Sequence, residues 1–193
     1  MQAQGIVLAK RPSGRLEISD FAEASLSLPE VKAGEVLVAA RYLSIDPYLR
    51  GMLDEAPFVG QPVAVGGVIA CRGIGEVLRS ASQMFKAGDM VFGELGWRSH
   101  SVQPDAAMRP VVQNRHPLTW QLGVLGIPGI TAWLALDRGV ALEAADEIAA
   151  LAEHAAFDLV DGRVVIDGRD AAPHIRTPDI DRAAALVARN AGV

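Results

Sequence analysis

Only one of the 193 residues is a cysteine, Cys71, which excludes an internal disulfide bond and any zinc site built from several thiolates. No apolar run is long enough to span a membrane, because glycine and proline interrupt the longest ones. Residues 1–10 also lack the basic start and apolar core of a secretory signal. From these absences we expect a cytoplasmic protein without a membrane partner.

The chain also lacks a stripe of lysine and arginine, which nucleic-acid binding would require. Residues 1–136 contain twelve basic and twelve acidic side chains, whereas residues 137–193 contain six and eleven, so the net charge of −5 comes from the second part. Glycine is distributed the other way and is concentrated in the first part. We therefore expect no nucleic-acid partner and two regions of different structure.

The first part has the pattern of short strands joined by turns. Runs of β-branched and aromatic residues follow turn signals at the spacing that is typical of an all-β barrel or sandwich. The predicted strands cover residues 35–43, 74–78, 90–93 and 97–102.

The second part changes to a helical period. Pro128 is a favourable first helical residue, apolar residues then recur at about helical spacing, and Gly139 would end the helix. The Asp161-Gly162 pair predicts a hairpin turn. Two further helices are predicted over residues 143–155 and 178–190, which makes this part α+β.

A cluster of reactive side chains follows the predicted strand 35–43. Asp46, Tyr48 and Arg50 bring together a carboxylate, a phenol and a guanidinium, a mixture suited to positioning a polar substrate group. The chemistry of these residues by itself favours a structural interpretation, in which Asp46 caps a short helix beginning at Pro47 and Tyr48 is half-buried.

Five blocks of sequence carry a family resemblance, and they cover residues 42–51, 73–77, 85–91, 96–97 and 123–132. In this order and register, the stretch from Gln4 to Ala132 resembles the zinc-independent medium-chain dehydrogenase/reductases. The branch it looks most like contains the prostaglandin reductases, 2-alkenal reductases and bacterial curcumin reductase. The resemblance implies a GroES-like β-barrel domain that works with a Rossmann domain to reduce the carbon-carbon double bond of small-molecule enones with NADPH.

The resemblance also implies roles for single residues. Tyr48 matches a tyrosine that lines the family's substrate pocket beside the nicotinamide, which makes it the catalytic candidate, with Asp46 and Arg50 in the substrate pocket. Thr131 matches a threonine near the nicotinamide ring and Ile127 an apolar residue packed close to it, although helix-entry packing explains Ile127 as well. Zinc-dependent relatives have a His-Glu pair where this chain has Cys71-Arg72, so no metal is expected.

Two other motifs have simpler explanations. Gly73-x-Gly75 matches part of a dinucleotide-binding fingerprint, but no helical segment follows it, so we expect no phosphate site there. Ser99-His100-Ser101 does not indicate a catalytic triad, since alternation along a strand places the serines opposite the histidine. Residues 137–193 contain no Gly-x-Gly-x-x-Gly run, so we expect no complete Rossmann domain within this chain.

Residues 131–193 look like the monophosphate-binding insert of bacterial cytidylate kinase. The similarity lies in residues 131–140, 161–170 and 175–188. Arg176 is the matching basic residue and a weak candidate for nucleotide binding, although an exposed arginine at a helix start is the better explanation. The kinase's phosphate loop and lid arginines have no counterpart, so we expect no kinase activity.

These observations predict a GroES-like barrel over residues 1–126 joined to a helix and α+β segment over residues 127–193. The first hypothesis is the catalytic-domain portion of an NADP(H)-dependent enone reductase that is not catalytically competent alone, and whose NADP binding is therefore in question. The alternatives are a nucleotide-monophosphate-binding remnant and an inactive folded chimera. Such a chimera could associate with a second copy through the exposed barrel surface.

Overall fold

The computed structural model describes residues 1–57, 60–111, 117–137, 157–160, 163–166 and 168–170. The chain divides into two compact units, Met1–Leu118 and Thr119–Val193. This division lies upstream of Gly126, where the sequence places the end of the barrel, and the predicted domain limits stay predictions.

The unit Met1–Leu118 is built mainly from strands, as the sequence predicts. Its strands are β1 (Gln2–Leu8), β2 (Phe21–Ser27), β3 (Glu35–Leu43), β4 (Arg72–Ser80), β5 (Met90–Glu94), β6 (His100–Pro104) and β7 (Arg109–Pro110). Five of them form an antiparallel sheet in the order β6-β3-β4-β5-β7, and β1 pairs with β2 in a second sheet. One short helix, α1 (Tyr48–Met52), follows β3, and single turns of 3₁₀ helix cover Ile18–Asp20 and Asp105–Ala107.

The segment after Gly96 differs from the prediction of a strand over 97–102, because β6 begins at His100. Gly96 has a positive φ of 71°, and the backbone that follows it bonds to β1 before it joins the larger sheet. The Ile6 amide donates to the Trp97 carbonyl at 2.8 Å, and the Ser99 amide donates to the Gln4 carbonyl at 2.7 Å. These bonds connect the two sheets along one edge of β1.

A bulge in β3 decides which side chains face the core. The partners run Ala40 with Gly75 and Tyr42 with Ile74, so Arg41 is an extra residue in β3. Without it, strict alternation would turn Tyr42 inward after Ala40. With it, Leu43 packs against the core and Tyr42 stays exposed. The bulge therefore sets the direction in which the chain leaves β3 toward α1.

Two apolar clusters support this unit. The larger one fills one face of the five-stranded sheet and contains Val36, Val38, Val77, Phe85, Val91, Leu95 and Met108. The smaller one joins β1 to the end of α1 and contains Leu8, Leu53, Val63 and Ile69. Burial of a leucine such as Leu53 contributes about 1.5–3 kcal/mol, so α1 is held firmly at its C-terminal end.

In the unit Thr119–Val193 the predicted helix and hairpin are both present. Helix α2 covers Ile127–Asp137, and strands β8 (Phe157–Val160), β9 (Arg163–Ile166) and β10 (Arg169–Asp170) form an antiparallel sheet. Val160 pairs with Arg163, so β8 and β9 are antiparallel neighbours, as the predicted hairpin requires. Gly139 and the helices predicted over 143–155 and 178–190 lie outside the described residues. None of the described helices has the length and apolarity that a bilayer crossing needs.

Candidate functional site

The candidate site is built on the link between β3 and α1. The Ser44 amide donates to the Arg72 carbonyl at 2.8 Å, and the Trp97 indole Nε1 donates to the Ser44 carbonyl at 3.4 Å. Ser44 is buried as a result. These two bonds hold the link against the start of β4 and place Asp46 and Tyr48 beside Cys71 and Arg72.

Asp46 does not cap the helix, so the structural interpretation of this residue is wrong. Residue Pro47 occupies the N-cap position of α1, and no side chain caps the helix. The Asp46 carboxylate instead accepts a hydrogen bond of 2.6 Å from the Ser44 hydroxyl. The carboxylate is thus held on the Ser44 side of the site, and the hydrogen bond from Asp46 to α1 is made by its backbone carbonyl, which accepts the Leu49 amide at 3.1 Å.

Tyr48 is half-buried and lies under a guanidinium group. The Arg72 Cζ atom is 5.7 Å from the centre of the Tyr48 ring, the geometry of a cation–π contact. Burial raises the pKa of the Tyr48 phenol above its usual value, the Arg72 charge lowers it, and the carboxylates of Asp46 and Glu94 raise it further. The phenol therefore stays protonated at neutral pH and can donate a hydrogen bond.

Cys71 is the buried neighbour of Arg72 in the site. It is fully buried, and its backbone carbonyl accepts bonds from the amides of Leu95 and Gly96 at 3.0 and 3.1 Å. Burial, with smaller contributions from Asp46 and Glu94, raises the pKa of the Cys71 thiol to about 12. The thiol is therefore neutral and chemically inert under ordinary conditions.

Sequence reasoning did not assign Arg72, Glu94 or Cys71 to the site. Arg72 and Glu94 are paired residues on β4 and β5, and their proximity depends on that register. The only sequence signal was that Cys71-Arg72 replaces the His-Glu pair of zinc-dependent relatives. Among the described residues, no group of three or more His, Cys, Asp or Glu side chains is arranged to hold a metal ion.

Arg50 is on the same helix as Tyr48 but is engaged elsewhere. Its guanidinium donates to the Asp54 carboxylate at 2.8 Å and to the Gly14 carbonyl at 3.0 Å. In the opposite direction, the Arg11 guanidinium on the N-terminal loop donates to the Leu53 carbonyl at the end of α1 at 2.8 Å. Arg50 thus fastens the N-terminal loop to α1, and its predicted role in the substrate pocket stays a prediction.

The two nicotinamide candidates are one turn apart on α2. The Thr131 hydroxyl donates to the Ile127 carbonyl at 2.7 Å, and Thr131 is buried, whereas the Ile127 side chain is exposed. The threonine hydroxyl is therefore used within its own helix, while Ile127 presents an apolar side chain. The weak nucleotide candidate Arg176 lies outside the described residues.

Comparison with known proteins decides the family. A family model described as the N-terminal domain of oxidoreductase matches residues 4–111, which is more than half of the chain. The chain belongs to this oxidoreductase family. All the residues of the Tyr48 site, from Ser44 to Trp97, lie within the matched segment.

Relatives of the oxidoreductase domain agree with this assignment. The NADPH-dependent curcumin reductase of Escherichia coli is 33% identical over 130 residues, which cover 67% of this chain and 38% of the relative. The crystal structure of CurA from Vibrio vulnificus in complex with NADPH superposes with a TM-score of 0.64 at 33% identity, over 69% of this chain and 40% of that one. The chain thus spans about two fifths of the length of these relatives.

A longer alignment extends past the resemblance read from the sequence. Prostaglandin reductase 1 of Oryctolagus cuniculus is 29% identical over 171 residues, or 85% of this chain and 46% of the relative. An alignment over 85% of the chain cannot be contained in residues 1–132. The similarity to the oxidoreductases therefore continues into the second part. The predicted seam with a kinase-like segment stays a prediction.

The two glycines of Gly73-x-Gly75 serve the packing of the oxidoreductase domain. Both are buried in β4, and a Cβ atom at Gly73 would lie 2.8 Å from the Tyr42 carbonyl oxygen. At Gly75 it would lie 2.6 Å from the Ala39 carbonyl oxygen. Because the close approach is to β3, these glycines allow two strands to pack and not a phosphate to bind.

The Ser99-His100 pair is closer than strand alternation predicts. His100 Nδ1 is 3.0 Å from the Ser99 hydroxyl, which also accepts the Gln4 amide at 3.0 Å. Ser99 precedes β6, so it does not follow the alternation that was assumed for it. The expectation that these two side chains lie apart is therefore wrong.

An open groove of about 480 Å³ lies on the other side of the Ser44 link. Leu43, Ile45 and Trp97 give it an apolar lining, and Arg98 and Glu23 supply charges. Burial lowers the pKa of the Arg98 guanidinium. No local sequence pattern indicates this groove, because its walls come from β1, β2, the end of β3, the link and the residues after Gly96.

Proposed function

We propose that this chain supplies the substrate-holding part of an NADP(H)-dependent reductase of enones and 2-alkenals, with Tyr48 as the residue that contacts the substrate. The observation that carries the proposal is the half-buried Tyr48 phenol, which lies under Arg72 and beside Asp46 at the end of β3. The names of the relatives also support the proposal, since they include NADPH-dependent curcumin reductase and prostaglandin reductase 1.

The Tyr48 site by itself offers an aromatic face, a protonated phenol and a guanidinium. For the second unit, Ile127 and Thr131 stay proposed as nicotinamide contacts on the resemblance alone. A bound nicotinamide would supply hydride to the double bond. The contribution of this chain is to hold the carbonyl compound and to present proton donors to it.

The other parts of the proposal concern the second part of the chain. We expect the 193-residue chain alone to bind an enone without turning it over, since residues 137–193 hold no glycine-rich dinucleotide motif. The first alternative is a nucleotide-monophosphate-binding remnant in residues 131–193, with Arg176 as its weak candidate residue. The second is an inactive folded chimera that associates with a second copy through the exposed barrel surface.

A ligand titration tests the proposal. Mesityl oxide, a small neutral enone, is added to the chain and binding is followed by NMR, while NADPH and CMP are titrated separately and NADPH absorbance is monitored. We expect enone binding that Tyr48→Phe weakens and Tyr42→Phe leaves unchanged, since Tyr42 is exposed and away from the core.

The other outcomes separate the alternatives. Failure of mesityl oxide to bind would overturn the proposed function, and CMP binding alone would favour the nucleotide-binding remnant. Oxidation of NADPH in the presence of the enone would show that the chain is competent by itself, contrary to our expectation.

A further inference from the structure

Arg72 is a cation without a counter-ion in the candidate site. Two other arginines of this region are paired with carboxylates, Arg41 with Glu76 and Arg50 with Asp54. By contrast, no carboxylate of the described residues lies within the 4.0 Å limit of an ion pair with Arg72. The one contact described for its side chain is with the face of the Tyr48 ring. The N–H donors of the guanidinium thus remain available to a ligand.

The charges around this guanidinium favour a neutral ligand. Asp46 and Glu94 are close enough to raise the pKa of the Tyr48 phenol, and Glu94 is the cross-strand partner of Arg72. A carboxylate placed on the tyrosine would meet these two like charges, which costs binding energy. A carbonyl oxygen would accept the same hydrogen bonds without that repulsion.

We propose that Arg72 determines substrate specificity: its guanidinium donates to the carbonyl oxygen of a neutral enone or enal that lies against Tyr48, and the site rejects the matching carboxylate. This inference rests on the proposed function and adds a residue and a selectivity to it.

The same contact suits the reaction. When hydride from a reduced nicotinamide forms a C–H bond at the β carbon, the electrons of the conjugated double bonds shift and the carbonyl oxygen becomes an enolate oxygen. A proton from water then adds to the α carbon and restores the carbonyl group. A guanidinium already bonded to that oxygen would stabilise the negative charge while it develops.

A matched pair of ligands tests the inference on the full chain. Mesityl oxide and senecioate share the same dimethyl-substituted double bond, which carries a methyl ketone in mesityl oxide and a carboxylate in senecioate. We expect wild type to bind mesityl oxide more tightly, and Arg72→Gln to weaken this binding by about tenfold, since a hydrogen bond to a charged donor is lost. Arg79→Gln, an exposed arginine on the same strand, is the control and should change nothing. Glu94→Gln should improve senecioate binding.

A second measurement does not depend on ligand binding. In a Tyr42→Phe background Tyr48 is the only tyrosine, so its titration can be read from ultraviolet absorbance. Arg72→Gln should raise the pKa of Tyr48, because the positive charge that lowers it is gone. Arg72→Lys should keep most of that effect but bind mesityl oxide less tightly than wild type, because lysine lacks the planar fork. If Arg72→Gln does not fold, the lysine variant provides the test.

The outcomes distinguish this inference from the proposed function. No binding of mesityl oxide by wild type would overturn both. Mesityl oxide binding that survives Arg72→Gln undiminished, or equal affinity of wild type for the ketone and the carboxylate, would overturn the inference alone. An unchanged pKa of Tyr48 in Arg72→Gln would also overturn it, since the guanidinium would not lie over the ring.

Discussion

The Ser44 hydroxyl donates a hydrogen bond of 2.6 Å to the Asp46 carboxylate, two residues further along the chain. This bond aims the carboxylate into the candidate site, where it raises the pKa of both Tyr48 and Cys71. An aspartate that would be assigned to a helix cap is thus part of the electrostatic environment of the tyrosine.

Asp46→Asn should lower the pKa of Tyr48, and that of Cys71 with it. The amide can still accept the Ser44 hydroxyl, so the link keeps its shape while the negative charge disappears. The measurement is the absorbance titration of the tyrosine in a Tyr42→Phe background. Glu30→Gln, which removes an exposed carboxylate on a loop, is the control. A Tyr48 titration that Asp46→Asn leaves unaltered would show that the carboxylate points elsewhere.

Cys71 should make the protein less stable at alkaline pH. Its folded pKa of about 12 lies above the ordinary value of 9.0, so the unfolded chain releases the proton first. The stability contributed by the neutral thiol is complete below about pH 9 and declines up to about pH 12, by at most about 4 kcal/mol. Urea unfolding of wild type and Cys71→Ala across this range measures it. Equal alkaline losses in the two proteins would contradict the prediction.

Ser101→Ala should leave stability unchanged or raise it slightly. The Ser101 hydroxyl is buried in β6 and has no hydrogen-bond partner among the described residues, so its removal ends a desolvation cost. Ser80 is the matched control, since its hydroxyl donates to the Phe85 carbonyl at 2.6 Å and accepts the Ser82 amide at 3.0 Å. Ser80→Ala should cost about 1–2 kcal/mol of unfolding free energy. Equal losses in both variants would mean that Ser101 has a partner.

Gly75→Ala should destabilise the five-stranded sheet. The added methyl group would collide with the Val38 side chain and the Ala39 carbonyl oxygen on β3, at a cost of about 3 kcal/mol. Gly51→Ala is the control, because a methyl group at Gly51 in α1 meets no atom within 4 Å and should be neutral or stabilising. Thermal unfolding compares the two. A tolerated Gly75→Ala would indicate that Gly75 has freedom to move away from β3.

Much of the fold could be predicted because its signals are local. The strand over 35–43, the helix after Gly126 and the pairing of β8 with β9 each depend on periodicity or turn chemistry within a few residues, and the structure has all three. The prediction failed where a distant segment competes for the backbone. Residues 97–99 bond to β1, so β6 starts later than its β-rich composition suggests.

The candidate site divides in the same way. Asp46, Tyr48 and Arg50 are recognisable because they are neighbours in the chain, whereas Arg72 and Glu94 reach the site through strand pairing. Arg50 shows the limit of proximity in sequence, since its hydrogen bonds go to Asp54 and Gly14.

Residue types and their spacing were sufficient to predict a mainly β unit and to place Tyr48 directly after its third strand, and the resemblance of its motifs pointed to the oxidoreductase family that the comparison shows. The charge state and surroundings of that tyrosine required the assembled sheet. Burial, the position of Arg72 over the ring and the Arg41 bulge all depend on contacts between residues far apart in the chain. Such contacts form through packing and strand register, which no local run of residues encodes.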